Sequence, residues 1–246
     1  MKPVSLICCY TSEQKVDYLL QSLKRQTIEY EIILINNSQN KFSSAAKALN
    51  YGAKKSNSEL LMFVHQDIKF KGNDALENLV QKCKVLKLGD VGGVAGPILL
   101  EGRYKKTKTN ITHSTEEKKY IQSEFIGDYI ETESIDECVI IMKKETWRRH
   151  PFDEKICDHW HFYGVEQCLY ARLHGGKIYT FDADINHLSE RGSLDKNFYK
   201  SLKRVAKKYE KEYSYILATT GIWPIRFLNY YIVKRIIGEK IRRMRR

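Results

Sequence analysis

Residues 58–70 read SELLMFVHQDIKF, a stretch in which an apolar run meets a polar cluster. Residues 60–64 are all apolar, which is typical of a strand buried on both faces of a parallel sheet. The run ends at His65, Gln66 and Asp67, whose side chains can bind a ligand or a metal ion. Ligands of open α/β sheets bind beyond the carboxyl ends of the strands. This stretch therefore predicts both a central strand and the edge of a site.

Predicted strands and helices alternate ahead of this stretch. Apolar runs at 4–9 and 31–35 predict strands, and apolar residues at helical spacing predict helices at 13–26 and 42–56. Such alternation indicates an α/β fold with a mostly parallel sheet flanked by helices.

Polar residues also follow the first two predicted strands. Tyr10 and Thr11 end the first strand, and Asn36, Asn37 and Ser38 end the second. If the three strands are neighbours, their carboxyl ends meet at one edge of the sheet. The residues alone therefore predict one shared crevice, but they do not identify its ligand.

The second half of the chain gives further signals of both kinds. The patterns predict, in order, a helix at 74–87, a glycine-broken strand region at 91–100, a polar surface loop at 101–131, a strand at 138–142, a helix at 161–174, a strand over 177–187 and a lysine-rich helical segment at 196–220. We see no internal repeat and no proline-rich linker. We therefore predict one main domain over 1–195 and a basic helical extension over 196–246.

The composition is that of a folded protein of the cytosol. Hydrophobic residues make up 42% of the 246 residues, which is enough for a substantial core. No apolar run reaches the roughly 18–20 residues that a membrane-spanning helix needs. The N-terminus does not have the pattern of a signal peptide, and the six cysteines show no C-x-x-C spacing. We therefore expect a cytoplasmic protein.

The net charge of +12 is concentrated at the C-terminus. Residues 221–246 contain eight basic residues and one acidic residue, so this segment carries most of the excess. That distribution disfavours nucleic-acid binding by the main domain, although a basic nucleic-acid-binding protein remains an alternative. Aromatic, aliphatic and basic residues are mixed in this segment, which predicts a helix on an anionic lipid surface. A solvated tail and a helix that docks on a partner are the alternatives.

Six motifs in the correct order resemble the nucleotide-sugar-binding half of GT-A glycosyltransferases, especially the broad family 2. They are Gln26-Thr27, YEIILINNS at 30–38, Leu49-Asn50-Tyr51-Gly52, SELLMFVHQD at 58–67, IDECVIIMKKETW at 135–147 and FDEKICDHWHFYGVEQCLYARLHGGKIY at 152–179. The resemblance covers about residues 3–190. It implies a GT-A (Rossmann-like) catalytic domain at 1–195.

The resemblance also implies an activity. A sugar would pass from a nucleotide-diphosphate sugar, with UDP favoured, to a saccharide or lipid-linked saccharide acceptor, with inversion. The His-Gln-Asp form of the motif, followed by Trp-His-Phe-Tyr, is similar to a subgroup associated with bacterial surface-polysaccharide synthesis. Such an enzyme would act at the cytoplasmic face of the membrane, where the basic C-terminal segment could meet a lipid-linked acceptor.

The resemblance implies a donor site and a metal site. The donor contacts would come from Tyr10, Asn36, Asn37, Asn50, His65, Gln66 and Asp67. Asp67 and His187 would hold Mn²⁺ or Mg²⁺, and a mixed carboxylate–imidazole set favours Mn²⁺. A cap or turn role for Asp67 and a structural role for His187 are the alternatives.

An inverting transfer needs a carboxylate that accepts the proton of the acceptor hydroxyl. Asp158, Glu166 and Asp136 are the candidates, in that order, and Glu166 has a solvated helix face as its alternative. Gly164 falls where the family's usual catalytic Asp would lie, so the base cannot simply be transferred. A non-catalytic, nucleotide-binding descendant of the fold is therefore another alternative. Trp160 and its aromatic neighbours would form a platform for a sugar ring.

Overall fold

The computed structural model describes residues 2–101, 104–113, 118–119, 127–188 and 194–244. The strands are β1 (Val4–Tyr10), β2 (Glu31–Asn36), β3 (Leu60–Val64), β4 (Ile68–Phe70), β5 (Val91–Gly93), β6 (Ala95–Leu100), β7 (Tyr104–Thr109), β8 (Thr112–His113), β9 (Lys118–Lys119), β10 (Tyr129–Glu131), β11 (Val139–Lys143), β12 (Ile178–Phe181), β13 (Ile185–His187), β14 (Tyr215–Ala218) and β15 (Gly221–Pro224). The helices are α1 (Glu13–Leu23), α2 (Ala45–Lys55), α3 (Ala75–Lys82), α4 (Lys144–Arg149), α5 (Tyr163–Leu173), α6 (Lys196–Lys208) and α7 (Leu228–Met244), with a 3₁₀ turn at Cys83–Val85.

A seven-stranded sheet with the order β10-β12-β5-β11-β3-β1-β2 forms the centre of the fold. β1 runs parallel to β2 and β3, and β12 runs parallel to β5. β11 is antiparallel to both β3 and β5, and β10 is antiparallel to β12. Strands β1, β2, β3, β5 and β12 therefore point the same way. The predicted mostly parallel sheet flanked by helices is confirmed.

The apolar run of β3 is explained by helices on both faces of this sheet. Successive side chains of a strand point to opposite faces. Phe63 joins the core cluster that contains α2, α5 and α6, where its ring meets Phe152 edge-on at 4.8 Å between centroids. Met62 and Val64 join the other cluster, beneath α1 and α3. Burying each of these side chains contributes about 1.5–3 kcal/mol, which favours an apolar residue at each of these positions.

Helix α2 lies unusually close to the sheet. A Cβ at Gly52 would come within 2.5 Å of Ile7 Cγ2 and 2.7 Å of Ile35 Cδ1. The alanine-rich face of α2, with Ala46, Ala48 and Ala53 fully buried, permits the same approach. This contact packs α2 directly against β1 and β2.

A second sheet, in the order β4-β13-β8-β9, lies beyond the end of β3. β13 is antiparallel to β4, with His187 opposite Ile68, and parallel to β8, with His187 opposite His113. The strand predicted over 177–187 is therefore two strands: β12 in the central sheet and β13 in the second. This break brings His187 beside the residues that follow β3.

Two other predictions differ from the structure. Described parts of the predicted loop at 101–131 form β7 to β10, while 102–103, 114–117 and 120–126 lie outside the described residues. The helix predicted at 196–220 ends at Lys208, and the hairpin β14–β15 follows it. Helical spacing predicted α6 correctly, but the short apolar run of β14, YILA, was not predicted as a strand.

Residues after 195 contribute to the main core. Phe198 of α6 packs against Phe162 at 4.8 Å and Trp223 of β15 at 5.9 Å between ring centroids. Leu228 and Ile232 of α7 are buried in the same cluster. Among the described helices, none combines the length and apolar composition that a membrane span requires.

Candidate functional site

A cavity of about 380 Å³ opens where β1 and β3 end. Its lining combines apolar side chains from α2 and β3 with polar residues of the loops that follow the strands. The polar residues of this lining include Thr11, His65, Gln66, Asp67, Glu137 and Tyr163. The cavity therefore lies at the edge of the sheet where the sequence predicts a crevice.

Gln66 joins the two strand ends. Its Oε1 accepts hydrogen bonds from the backbone N–H groups of Thr11 and Ser12, each at 3.0 Å. Ser12 is also the N-cap of α1, where its Oγ accepts from Lys15 N. Gln66 thus holds the start of α1 beside the cavity. These two hydrogen bonds give the side-chain oxygen of Gln66 a structural role.

His65, Asp67 and His187 form a cluster that could hold a metal ion. One ligand atom from each lies within 4.8 Å of the others. The backbone N–H of Leu188 donates to Asp67 O at 3.0 Å, which fixes the end of β13 against the loop after β3. His187 Nε2 lies 3.3 Å from Asp67 Oδ1, yet among the described residues it makes no hydrogen bond of acceptable geometry. A buried imidazole nitrogen without such a partner fits a metal ligand.

The charges of the cluster suit a divalent cation. Burial on its own would raise the pKa of Asp67, but the nearby His187, His65 and Lys15 outweigh it and lower that pKa to about 2. Burial and the neighbouring His187 lower the pKa of His65. At neutral pH the cluster therefore offers an ionised carboxylate and a neutral His65, both able to donate electron pairs. One carboxylate with two imidazoles is a donor set that Mn²⁺ accepts.

The predicted nucleotide contacts at the ends of β1 and β2 divide into two kinds. Tyr10 and Asn36 are side by side in the β1–β2 register, and Asn36 is exposed. Asn36 Oδ1 accepts from both the N–H and the hydroxyl of Ser38, as in an Asx turn. Asn37 is buried, and its amide bonds both backbone groups of Phe42. Tyr10 and Asn36 therefore remain accessible to a ligand, whereas Asn37 braces a loop.

Asn50 is not brought into the cavity. It is 3% exposed, and its Oδ1 accepts from Trp147 Nε1 at 2.9 Å and Phe152 N at 3.1 Å. Its Nδ2 donates to Phe152 O and Glu154 Oε1, each at 2.9 Å. All of its hydrogen-bonding capacity is used to tie α2 to α4 and the following loop.

Asn50→Ala is therefore expected to lower the free energy of unfolding by about 2–4 kcal/mol, since it leaves several buried groups of Trp147 and Phe152 unpaired. Urea unfolding at constant pH measures the loss. Asn78→Ala, which removes an exposed bond to Asp74 on α3, is the matched control and should change stability by less than about 1 kcal/mol. Equal stability of the two variants would contradict the structural role of Asn50.

The three predicted catalytic carboxylates all have partners, and none lines the cavity. Glu166 is fully buried, so the alternative of a solvated helix face is wrong. Its Oε1 accepts from Lys208 Nζ at 2.6 Å and Tyr209 OH at 2.8 Å, and His150 Nε2 lies 3.2 Å away. This network lies between α5 and α6.

The other two predicted bases are tied to neighbouring elements. Asp158 forms an ion pair with Arg204 of α6 and lies 3.8 Å from His159 Nε2. Asp136 accepts from Thr219 Oγ1 at 2.8 Å and from Cys138 N at 3.1 Å. Among the aromatic candidates, Trp160 and Tyr163 line the cavity, and Trp160 is 42% exposed.

Glu137 is the cavity residue that the sequence reasoning missed. It immediately follows Asp136 in the segment IDEC, before β11 begins, and it lines the cavity. Burial is the largest cause that raises its pKa, to about 8. The sequence did contain one signal for Glu137: it is a second carboxylate directly beside Asp136, which was predicted as a site residue.

Known structures share this architecture. The crystal structure of GalNAc-T7 with UDP, GalNAc and Mn²⁺ superposes with a TM-score of 0.60 at 10% identity, covering 83% of this chain and 48% of that one. S. aureus TarS superposes with a TM-score of 0.54 at 15% identity, covering 84% of this chain and 39% of that one. TarS 1–349 in complex with UDP-GlcNAc gives 0.53 at 15% identity over 85% and 66% of the two chains. These likenesses show the GT-A fold that the sequence predicts.

Sequence comparisons extend the same result. The chain is 26% identical over 162 residues to the "ATP synthase subunits region ORF 6" protein of Fuscovulum blasticum, spanning 61% of this chain and 59% of that protein. A family model described as "Glycosyltransferase like family" matches residues 5–213. That match includes the central sheet, the His65–Asp67–His187 cluster and helix α6. With the GT-A architecture, it establishes that the chain belongs to the glycosyltransferase like family.

Proposed function

We propose that the protein transfers a sugar from a nucleotide-diphosphate sugar, with UDP favoured, to a saccharide or lipid-linked saccharide acceptor. The observation that carries the proposal is the His65–Asp67–His187 cluster at the mouth of the cavity where β3 ends. The structurally similar crystal structures of GalNAc-T7 with UDP, GalNAc and Mn²⁺ and of TarS with UDP-GlcNAc support the same class of donor.

In this proposal Asp67, His187 and His65 hold Mn²⁺ or Mg²⁺ at the donor diphosphate. The cation, when bound, would offset the negative charge that develops on the leaving nucleoside diphosphate. Tyr10 and Asn36, at the accessible end of the β1–β2 pair, are proposed to contact the base and ribose. Trp160 offers an exposed aromatic face beside the cavity on which a sugar ring can pack.

Nucleotide binding tests this function directly. Calorimetry with UDP, GDP, CDP and dTDP, each with and without Mn²⁺, should reveal one preferred nucleotide, UDP, whose affinity falls at least about tenfold, or about 1.4 kcal/mol, when EDTA removes the metal. Absence of binding by all four would refute the donor site. It would favour the alternatives of a basic nucleic-acid-binding protein or a non-enzymatic role.

We further propose that α7 lies on an anionic membrane surface at the cytoplasmic face, where a lipid-linked acceptor of surface-polysaccharide synthesis would be found. The large apolar side chains of α7, and of Phe227 just before it, are unusually exposed. The exposed fractions are 57% for Phe227, 64% for Tyr230, 54% for Val233, 51% for Ile237 and 78% for Met244. Lys234, Arg235 and Lys240 are interspersed with them. Apolar and basic side chains together are what an interfacial helix requires.

The membrane proposal is tested with vesicles. Val233→Glu/Ile237→Glu should lower co-sedimentation with phosphatidylglycerol vesicles by at least about tenfold, because both apolar contacts are lost and negative charge is added. Substitution is preferable to deleting 221–246, since Trp223, Leu228 and Ile232 are buried in the core. The control is Lys24→Glu/Glu29→Gln, which changes two exposed residues that are distant in sequence from α7. Equal vesicle binding by wild type and the α7 variant would reject the membrane contact.

A further inference from the structure

Gly164 and Glu137 share one space at the edge of the cavity. Gly164 lies in the first turn of α5, and an added Cβ there would come within 3.0 Å of Glu137 Cγ and 2.9 Å of Ile140 Cδ1. The volume that a side chain at position 164 would need is thus already filled by Glu137. A carboxylate can occupy this corner from one of the two positions but not from both without movement.

The Glu137 carboxylate is held at the N-terminal end of α5. Its Oε1 accepts the backbone N–H of Gly164 at 3.0 Å. α5 has 11 residues, and the unpaired N–H groups of its first turn favour a negative charge at this end. Tyr163 OH donates towards the backbone O of Glu137 at 3.4 Å and lies 3.2 Å from His65 Nε2. This arrangement positions the carboxylate relative to the proposed donor site.

The other carboxylates near the cavity already have partners. Asp67 belongs to the metal-ligating cluster, and Asp136 is bonded to Thr219 and to the backbone of Cys138. Asp158 is paired with Arg204, and Glu166 with Lys208. Among the described residues that line the cavity, Glu137 is the carboxylate outside the metal-ligating cluster. Its Oε1 accepts a hydrogen bond from the backbone N–H of Gly164.

We propose that Glu137 accepts the proton of the acceptor hydroxyl, from the corner that Gly164 leaves open. The inference rests on the proposed glycosyl transfer and assigns its base. As the hydroxyl oxygen forms a bond to the anomeric carbon, its proton moves to the Glu137 carboxylate. The bond between the anomeric carbon and the phosphate oxygen breaks, and its electron pair leaves with the nucleoside diphosphate.

The chemical environment of Glu137 agrees with this role. Burial is the largest influence and raises its pKa; Asp136 adds to the rise, while the N–H groups of Gly164, Tyr163 and Phe162 oppose it. The resulting pKa of about 8 makes Glu137 a stronger base than an exposed glutamate. General bases work best when their pKa is near the working pH.

The test separates proton transfer from binding. Release of UDP from UDP-glucose, UDP-galactose, UDP-GlcNAc and UDP-GalNAc is measured with water as the acceptor, alongside UDP affinity with Mn²⁺ by calorimetry. Glu137→Gln should lower UDP release by at least about 100-fold, the usual effect of removing a general base. Its UDP affinity should stay within about threefold of wild type, because the amide keeps the shape of the side chain. Glu145→Gln, an exposed glutamate on α4, should change neither property.

A relocation variant strengthens the test. Glu137→Gly/Gly164→Asp moves the carboxylate to the other side of the shared space, and should recover UDP release to within about tenfold of wild type. Gly164→Asp alone should unfold at a lower temperature than the double variant, because its side chain meets Glu137 and Ile140.

The outcomes distinguish this inference from the proposed function. If wild type binds none of the nucleotides, the donor site itself is refuted. If wild type binds UDP but Glu137→Gln releases it as fast as wild type does, Glu137 is not the base. A third outcome would also overturn the assignment: the wild-type protein binds UDP with Mn²⁺ but releases no UDP from any of the four donors. A base beside the donor site would also act on water.

Discussion

Asp67→Ala is expected to abolish most metal-dependent nucleotide binding. Removing the only carboxylate of the His65–Asp67–His187 cluster should weaken UDP binding in the presence of Mn²⁺ by at least about 100-fold, or about 2.8 kcal/mol. The reason is electrostatic as well as geometric. Asp67 is ionised at neutral pH because His187, His65 and Lys15 outweigh its burial and lower its pKa, so its loss leaves a cluster without negative charge.

Calorimetric titration of UDP with and without Mn²⁺ measures this effect. Asp184→Asn is the matched control, because Asp184 lies in the nearby turn before β13 but is exposed and pairs with Lys71. In wild type and in the control, EDTA should weaken UDP binding, whereas in Asp67→Ala it should change little. Wild-type affinity in the Asp67 variant would show that the cluster does not hold the metal of the donor site.

Much of the fold could be predicted from the sequence because burial leaves a direct pattern. The run at 60–64 is apolar at every position since helices cover both faces of β3. The polar residues that follow the strands predicted the position of the cavity, because ligands bind where parallel strands end. His187 and Asp67 were paired through the resemblance to family 2, and the structure brings them to 3.3 Å.

Other parts of the site depend on contacts between distant segments. Asn50 has no local sign that Trp147 and Phe152 will use its whole amide. Helical spacing shows which face of a helix is apolar, so the polar Glu166 could be taken for an exposed residue. The spacing does not show that Lys208 and Tyr209, from a later part of the chain, cover this polar face. Glu137 was missed because its importance comes from Gly164, 27 residues away.

Glu166 is expected to stabilise the fold and not to take part in catalysis. Glu166→Ala leaves Lys208, His150 and Tyr209 without their shared partner in a buried network, and leaving such buried groups unpaired costs about 1–3 kcal/mol. Glu166→Gln keeps the size of the side chain but removes one of the two carboxylate charges, those of Glu166 and Asp153, that pair with Lys208. We therefore expect a clear loss of stability in both variants, measured by urea unfolding at pH 7.

The pH dependence of the free energy of unfolding tests whether loss of the Glu166 charge causes the loss of stability. Burial opposes ionisation of Glu166, but His150 and Lys208 outweigh it and lower its pKa below the value of an unfolded glutamate. The ionised carboxylate therefore stabilises the fold fully above the unfolded pKa of about 4.3, and this contribution is lost as the pH falls through the lower folded value. The stability gap between wild type and Glu166→Gln should be largest near pH 7 and should narrow below about pH 4.

Two further measurements separate stability from catalysis. Glu145→Gln, whose glutamate pairs with arginines on the exposed face of α4, should match wild type within about 0.5 kcal/mol at every pH. Folded Glu166→Gln should bind UDP with Mn²⁺ as wild type does, because Glu166 does not line the cavity. A variant as stable as wild type that had lost UDP release would restore Glu166 as the base. It would also remove that role from Glu137, because a single proton acceptor suffices for an inverting transfer.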